Sequence, residues 1–318
     1  MGERGREVET VITAKMQEDF GRAAADRTLG AATARFGRTT ATRLAAMPDH
    51  PGYSKARGFS IDDADHLDAI CAFFTDAGLA PLIEVWAGDA SAALGRRLAQ
   101  AGFYAAEVNA TLRARPGPLV PPATPDPDVE IREVAPGDDA GYLETLIDGY
   151  GLGDAPPAAR RMLTVEHRSP HLRRYLAWVG GRPAAAAALY LTPRVATPHV
   201  ASPHVASPRV ASPRFATPRF GYLAGAATIP AMRNRGCQSA LIRRRLQDAA
   251  VAAAGTAAVA LDCAASTAGA VDAVATDAAA ANPAPAVVVT TAFGSPSQAN
   301  LQRLGFTIVH TRTLWRPY

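Results

Sequence analysis

The stretch Thr228-Ile-Pro-Ala-Met-Arg233-Asn234-Arg235-Gly236-Cys237-Gln238-Ser239-Ala-Leu241 decides how this chain is read. Residues 220–229 before it are apolar and strand-like, Pro230 ends them, and an Arg- and Gly-containing turn then opens into a helix expected over 235–250. The first N–H groups of a helix lack intrahelical acceptors and lie at the positive end of its dipole. A strand–turn–helix of this kind suits a diphosphate, with Arg233 and Arg235 placed to add charge-assisted bonds. Neither GxxxxGK[ST] nor GxGxxG is present, which removes the usual support for ATP or a dinucleotide. The residues alone leave the phosphate ligand open, and a basic helix start that merely solvates itself is the alternative.

Working outward, hydrophobic periodicity predicts a strand over 129–134, a helix capped by Asp138 or Asp139 through Tyr142 and Leu146, and a strand pair, 174–179 and 183–191, around Gly180-Gly181. The third strand is 220–229. After the 235–250 helix come a strand at 286–291, a helix at 298–304 and a strand at 307–315, giving the order β α β β β α β α β. Nearer the N-terminus, 39–47 and 81–87 read as strands. Residues 61–78 and 91–101 read as helices, the first with Asp62 or Asp63 as N-cap. Phe73, Phe74 and Trp86 are assigned to the core, and His66 to a structural or solvated role.

The chain divides at 116–127, where six prolines in twelve residues specify a semi-rigid extended linker. Residues 192–221 are six copies of a five-residue unit of the type TPRVA, in which a proline every fifth residue forbids both a continuous helix and a regular ladder. This is read as an expanded hairpin loop. A second biased stretch, 249–286, holds 20 alanines in 38 residues, and its portion from about 255 to 285 is read as another insertion. Leu98, Gly102, Phe103 and Arg113 recur as Leu301, Gly305, Phe306 and Arg316 at a constant offset of 203, which favours two related units. The expected organisation is a tail over 1–19, a unit over 20–115, the linker, and a unit over 128–318.

The central stretch resembles motif A of the GCN5-related N-acetyltransferase superfamily, hydrophobic-x-Pro-x-x-Arg-x-x-Gly-x-Gly/Ala followed by a helix, with Arg233 and Gly236 in the matching places. The element order of the second unit is similar to that family too. The resemblance implies a mixed α/β sheet with splayed central strands flanked by helices, here in two tandem copies of which the first is degenerate. It implies acetyl-CoA as cosubstrate, its pantetheine amides pairing with the backbone of Ala226, Ala227 and Thr228. The diphosphate would rest on the amides of Arg233, Asn234, Arg235, Gly236, Cys237, Gln238 and Ser239. Ser297 and Asn300 lie where the family contacts the far end of the cofactor, and are the candidates for orienting a water or the thiolate. Two departures stand out. Gln238 replaces a glycine or alanine, and Leu301 stands where the family often has a thiolate-protonating tyrosine. Residues 223–227 also lack the carboxylate that commonly acts as base. Asp148, Tyr150, Glu166 and His167 are expected near the acceptor cleft, and Cys237 is read as a small residue used for its amide rather than as a redox thiol.

Composition narrows the remaining classes. The net charge is +4, and four of the arginines belong to the five-residue repeat, so the remainder of the chain is balanced and a nucleic-acid partner is not expected. Three cysteines without CxxC spacing, and histidines without ligand spacing, predict neither disulfide nor metal. No run of about 18 apolar residues predicts a membrane span, and a start mixing acids and bases predicts a cytoplasmic protein. The expected activity is transfer of an acetyl group to an amine of a small molecule or protein by direct attack. The alternative is a catalytically reduced acyl-CoA-binding or regulatory module.

Overall fold

In the computed structural model, which describes residues 3–48, 50, 52–117, 128–135, 137–153, 156–192, 220–267 and 286–318, the chain begins with a helix, α1 (Glu3–Ala23), where the sequence had suggested a tail over 1–19. The reason is spacing: Val8, Val11, Ile12, Phe20 and Ala23 fall on one side of a helix and are buried there. Glu9, Lys15 and Asp19 interrupt that face with charge, which hid the pattern, yet all three are buried and ion-paired.

The rest of the first half comprises β1 (Ala31–Phe36), β2 (Thr39–Leu44), β3 (Lys55–Arg57), α2 (Leu67–Thr75), β4 (Ile83–Trp86), α3 (Ala92–Gln100) and β5 (Phe103–Ala114). A 3-10 turn, Ile61–His66, leads into α2, so the expected helix over 61–78 is two pieces. Asp63 is not its cap. Its carboxylate takes the Arg38 amide at 3.1 Å and the Thr39 hydroxyl at 2.7 Å, pinning the β1–β2 turn instead.

The second half comprises β6 (Val129–Glu133), α4 (Asp139–Tyr150), α5 (Pro157–His167), β7 (Leu172–Val179), β8 (Arg182–Leu191), β9 (Phe220–Thr228), α6 (Cys237–Thr267), β10 (Ala286–Ala292), α7 (Pro296–Arg303) and β11 (Thr307–Pro317). Helix α5 was not anticipated, although Pro157 in its first turn and buried Ala158, Ala159, Met162 and Leu163 supply the expected pattern. Helix α6 starts at Cys237 rather than 235, because Asn234 (φ 62°) and Gly236 (φ 73°) are left-handed. It continues to Thr267, past Gly255, where the Ala-rich insertion was expected to begin; alanine's propensity outweighs one glycine. The remainder of that insertion (268–285), the repeat residues 193–219 and linker residues 118–127 lie outside the described residues.

Among the described residues all eleven strands form one sheet in the order β1-β2-β3-β4-β11-β5-β10-β9-β8-β7-β6. Each half contains one parallel pair, β3 with β4 and β9 with β10, and the final strand of each half lies against the other half's pair. Thus β11 flanks β4, β5 flanks β10, and β5 and β11 run antiparallel at the centre. The Leu-x-x-x-Gly-Phe repeat is α3–β5 and α7–β11. Alternation along β5 separates the two faces of the sheet. Ala110, Leu112 and Ala114 meet α6 and α7, whereas Thr111 points to the opposite side, where its hydroxyl donates to Glu9 of α1 at 2.8 Å. Helices α2, α3, α6 and α7 therefore cover one face, and α1, α4 and α5 the other.

Candidate active site

Strands β9 and β10 are paired only from Phe220 to Tyr222 against Ala286 to Val288; beyond those residues they diverge. A bulge assists the divergence. In the β8–β9 ladder Ala187 pairs with Ala226 and Ala188 with Ala224, leaving Gly225 as the extra residue with φ 40°. A Cβ on Gly225 would lie 2.5 Å from the His167 ring, so only glycine fits beside that imidazole. The gap between the strands is a cavity of about 270 Å³. Its walls are Tyr222 and Ala226 of β9, Thr290 of β10, Gln238, Ile242 and Arg245 of α6, and Ser297 and Leu301 of α7.

At the end of β9 a 3-10 turn, Pro230–Met232, delivers the chain to Arg233–Gly236, all four of them exposed. The Arg233 amide donates to the Pro230 carbonyl. Among the described residues no side chain accepts from the amides of Asn234, Arg235, Gly236, Gln238 or Ser239, so the first turn of α6 presents donors outward. Cys237 is 2% exposed and packs with Leu241 in the core beneath the turn, its Sγ 3.9 Å from the Arg235 carbonyl. Such a buried position suits a small apolar residue.

Helix α7 is bracketed to this turn. Gln238 Nε2 donates to Ser297 Oγ at 3.3 Å, Asn300 Nδ2 donates to Gln238 Oε1 at 3.4 Å, and Ser239 Oγ donates to Asn300 Oδ1 at 3.1 Å. Gln238, the departure from the motif, thereby ties α6 to α7. Ser297 lines the cavity; Asn300 does not, and its amide is occupied by the bracket and by Arg303. Leu301, 2% exposed, makes that wall apolar.

On the opposite face of the splayed strands, Tyr150 lines the cavity and its hydroxyl lies against the Ala226 amide, while Asp148 is exposed and apart. Tyr150 is 44% exposed as a whole, and desolvation of its phenol, reinforced by the Glu166 charge, raises it further above its ordinary range, so it stays protonated. His167 is buried with Nδ1 2.9 Å from the Tyr142 hydroxyl, and burial pushes its imidazole down to about 4, leaving it neutral. Glu166 accepts from Lys15 Nζ at 3.1 Å and from Tyr53 Oη at 3.2 Å. Burial alone would raise its carboxyl, but Lys15, His167 and those two hydrogen bonds hold it well below its usual range. Asp19, which shares Lys15 at 2.6 Å, is pushed up by burial, a rise that the neighbouring Glu166 charge reinforces. Lys15, Tyr53, Tyr222 and Arg245 were not picked out from the sequence. No local signal marks them, since the contact of residue 15 with residue 166 exists only once α1 crosses onto the second half.

Among the described residues there is no cluster of His, Cys, Asp and Glu able to hold a metal ion, and no helix long and apolar enough to cross a membrane.

No protein-family model and no curated protein matches the sequence. Solved structures do match the fold. A GCN5-related N-acetyltransferase from Kribbella flavida is 15% identical, with a TM-score of 0.53 over 94% of this chain and 95% of that one. A functionally unknown conserved protein from Staphylococcus epidermidis ATCC 12228 is 9% identical, with a TM-score of 0.53 over 91% of this chain and 95% of that one. At these identities the likeness is one of fold alone: a mixed α/β architecture with a large mixed sheet.

Proposed function

We propose that the protein is an acetyl-CoA-dependent N-acetyltransferase whose cofactor lies in the cleft between β9 and β10. The observation that carries this reading is the coincidence of two features at one place. The parallel strands part to leave a cavity of about 270 Å³, and the adjoining helix start offers exposed amides that no described side chain caps. The residues fit the group: amides of Asn234, Arg235, Gly236, Gln238 and Ser239 for the diphosphate, flanked by exposed Arg233 and Arg235, and the β9 edge at Ala226, Ala227 and Thr228, which pairs with β8 but not with β10, for the pantetheine amides. Acetyl-CoA supplies an acyl group activated as a thioester.

The chain's own residues then position and polarise. The Ala226 amide, at the bulge, meets the Tyr150 hydroxyl and becomes the donor to a developing oxyanion once the thioester carbonyl takes that hydroxyl's place. The Tyr150 phenol stays protonated and is a hydrogen-bond donor beside that amide; in this reading it takes over part of the role left open by Leu301. Ser297 orients the cavity's polar end, and Asn300 positions the α6 turn through Gln238 and Ser239 rather than touching substrate. A neutral amine attacks the carbonyl directly, its proton passing to water, since His167 is occupied by Tyr142 and Glu166 by Lys15. We read the acceptor as entering from the face of α1, α4 and α5, so that the first half contributes a wall of the acceptor site, and we read the two halves as tandem copies that exchanged their final strands.

The test is calorimetric titration with acetyl-CoA followed by measurement of CoA release across a panel of amines. Binding with turnover is expected. Absence of acetyl-CoA binding refutes the reading, and binding without turnover on any amine replaces it with the acyl-CoA-binding module.

A further inference from the structure

Arg245 is 2% exposed and lines the cavity between the splayed strands. Two of its nitrogens are fixed by backbone: Nε donates to the Leu241 carbonyl at 3.1 Å, and Nη1 donates to the Ala188 carbonyl at 3.0 Å, at the β8–β9 bulge. Among the described residues neither a carboxylate nor any other group accepts from Nη2. The charged groups around it supply no counter-ion. Asp248, one turn along, is taken by Tyr175, Arg173 and Arg244. Glu166 is taken by Lys15 and Tyr53, and Tyr142, Tyr150 and Tyr175 near the guanidinium are neutral phenols. A buried cation without an anion is expensive, as the lowering of Arg245 by burial to about 10 reflects, and it remains protonated at neutral pH.

Position identifies the anion that would relieve this. Arg245 lies eight residues after Cys237, about 12 Å along α6 from the turn that faces the diphosphate. That distance excludes a phosphate held on the amides of Asn234 to Ser239 and corresponds to the acyl end of a CoA thioester. Arg245 also projects from α6, the helix that opens at the diphosphate turn, whereas in the proposed reading an acceptor enters from the face of α1, α4 and α5.

We propose that Arg245 is a specificity residue for an acyl donor ending in a carboxylate, a dicarboxylic acyl-CoA of the malonyl or succinyl type. The free Nη2 donors are held in a fixed fork by the two backbone bonds and meet the acyl carboxylate inside the cavity. The transfer itself keeps the same balance: the amine nitrogen forms the C–N bond, the C–S bond breaks, CoA leaves as thiolate, and the amine proton goes to water. The product amide carries a free carboxylate.

This inference rests on the cleft holding a CoA thioester, and the experiment separates the two claims. Dissociation constants of CoA, acetyl-CoA, butyryl-CoA, malonyl-CoA and succinyl-CoA are measured by calorimetry on the full chain. Malonyl- or succinyl-CoA is expected to bind at least tenfold more tightly than butyryl-CoA; any smaller preference overturns the inference while leaving the cleft intact if CoA and acetyl-CoA bind. If none of the five binds, the cofactor reading fails and the donor preference falls with it. Arg245→Gln keeps a donor for the Ala188 carbonyl but loses the charge, and is expected to reduce the preference below threefold. A preserved tenfold preference in that variant overturns the assignment to Arg245. Should the variant not fold, the comparison on the unmodified protein still decides the matter.

Discussion

Replacing Gly149 with alanine tests how closely α4 rides on the strand that lines the cleft. Gly149 is the penultimate residue of α4, and a methyl group there would stand 2.6 Å from the Ala227 Cβ. It would also lie 3.0 Å from the Ala227 carbonyl carbon and the Thr228 nitrogen. Two of those neighbours are backbone, so no rotamer change relieves the clash; α4 or β9 has to move. Overpacking of this kind costs about 1–3 kcal/mol, against a helix-propensity gain of at most about 1 kcal/mol that shrinks in a last turn. Gly149→Ala is therefore expected to destabilise the protein by roughly 1–2 kcal/mol, and to weaken acetyl-CoA binding because Ala227 directly follows Ala226 of the cleft wall. Gly141 supplies the internal control: it lies in the first turn of the same helix with nothing within 4 Å of a would-be Cβ. Gly141→Ala should be neutral or stabilising by a few tenths of a kcal/mol. Urea midpoints of both variants, with calorimetric titration of acetyl-CoA, provide the readout. Finding Gly149→Ala as stable as Gly141→Ala would refute the close approach of α4 to β9.

Further outcomes follow from the same geometry. Arg233→Ala combined with Gly236→Asp puts a carboxylate and a strained left-handed residue into the α6 turn, and should weaken acetyl-CoA at least tenfold by calorimetry with the melting curve little changed. Glu9→Ala strips the carboxylate that meets Arg57 at 3.2 Å, His310 at 2.8 Å and Thr111 at 2.8 Å in a site 0% exposed; denaturant titration should show a loss of about 3–5 kcal/mol. His167 is neutral on both sides of unfolding above pH 6.5. Between there and pH 4 only the unfolded chain takes its proton, so stability falls as pH drops, by about 2 kcal/mol between pH 7 and pH 5. The loss over that interval should be visibly smaller in His167→Gln, measured from urea midpoints at the two pH values.

Local signals carried much of the fold. Gly180-Gly181, both with positive φ, joins β7 to β8 where the sequence put a turn, and Ser91 caps α3 by accepting from the Leu94 amide at 3.2 Å. The strand–turn–helix at 228–241 is likewise readable, because a proline, a left-handed glycine and an apolar helix face are all local statements. Helix α1 was missed because its buried face carries Glu9, Lys15 and Asp19. A buried charge is tolerable only with partners such as Arg57, Glu166 and Arg22, which lie far away in sequence for the first two and are invisible to a pattern count. Short β3 was missed for the same reason, since Lys55 and Arg57 read as surface but answer Glu84 and Glu9 inside the molecule.

The amino-acid order alone specified most of the elements along each half, though not α1, α5 or β3, and the turn whose amides face outward, because backbone conformation and unpaired helix-end donors are properties of a few consecutive residues. Tertiary structure alone decided that β5 and β11 pair at the centre of one sheet, that α1 of the first half roofs the second, and that Arg245 lines the cavity with no anion beside it among the described residues. Pairing partners, burial and the balance of charge within a buried site depend on which distant segments meet, and that is settled only when strands from both halves share a single sheet.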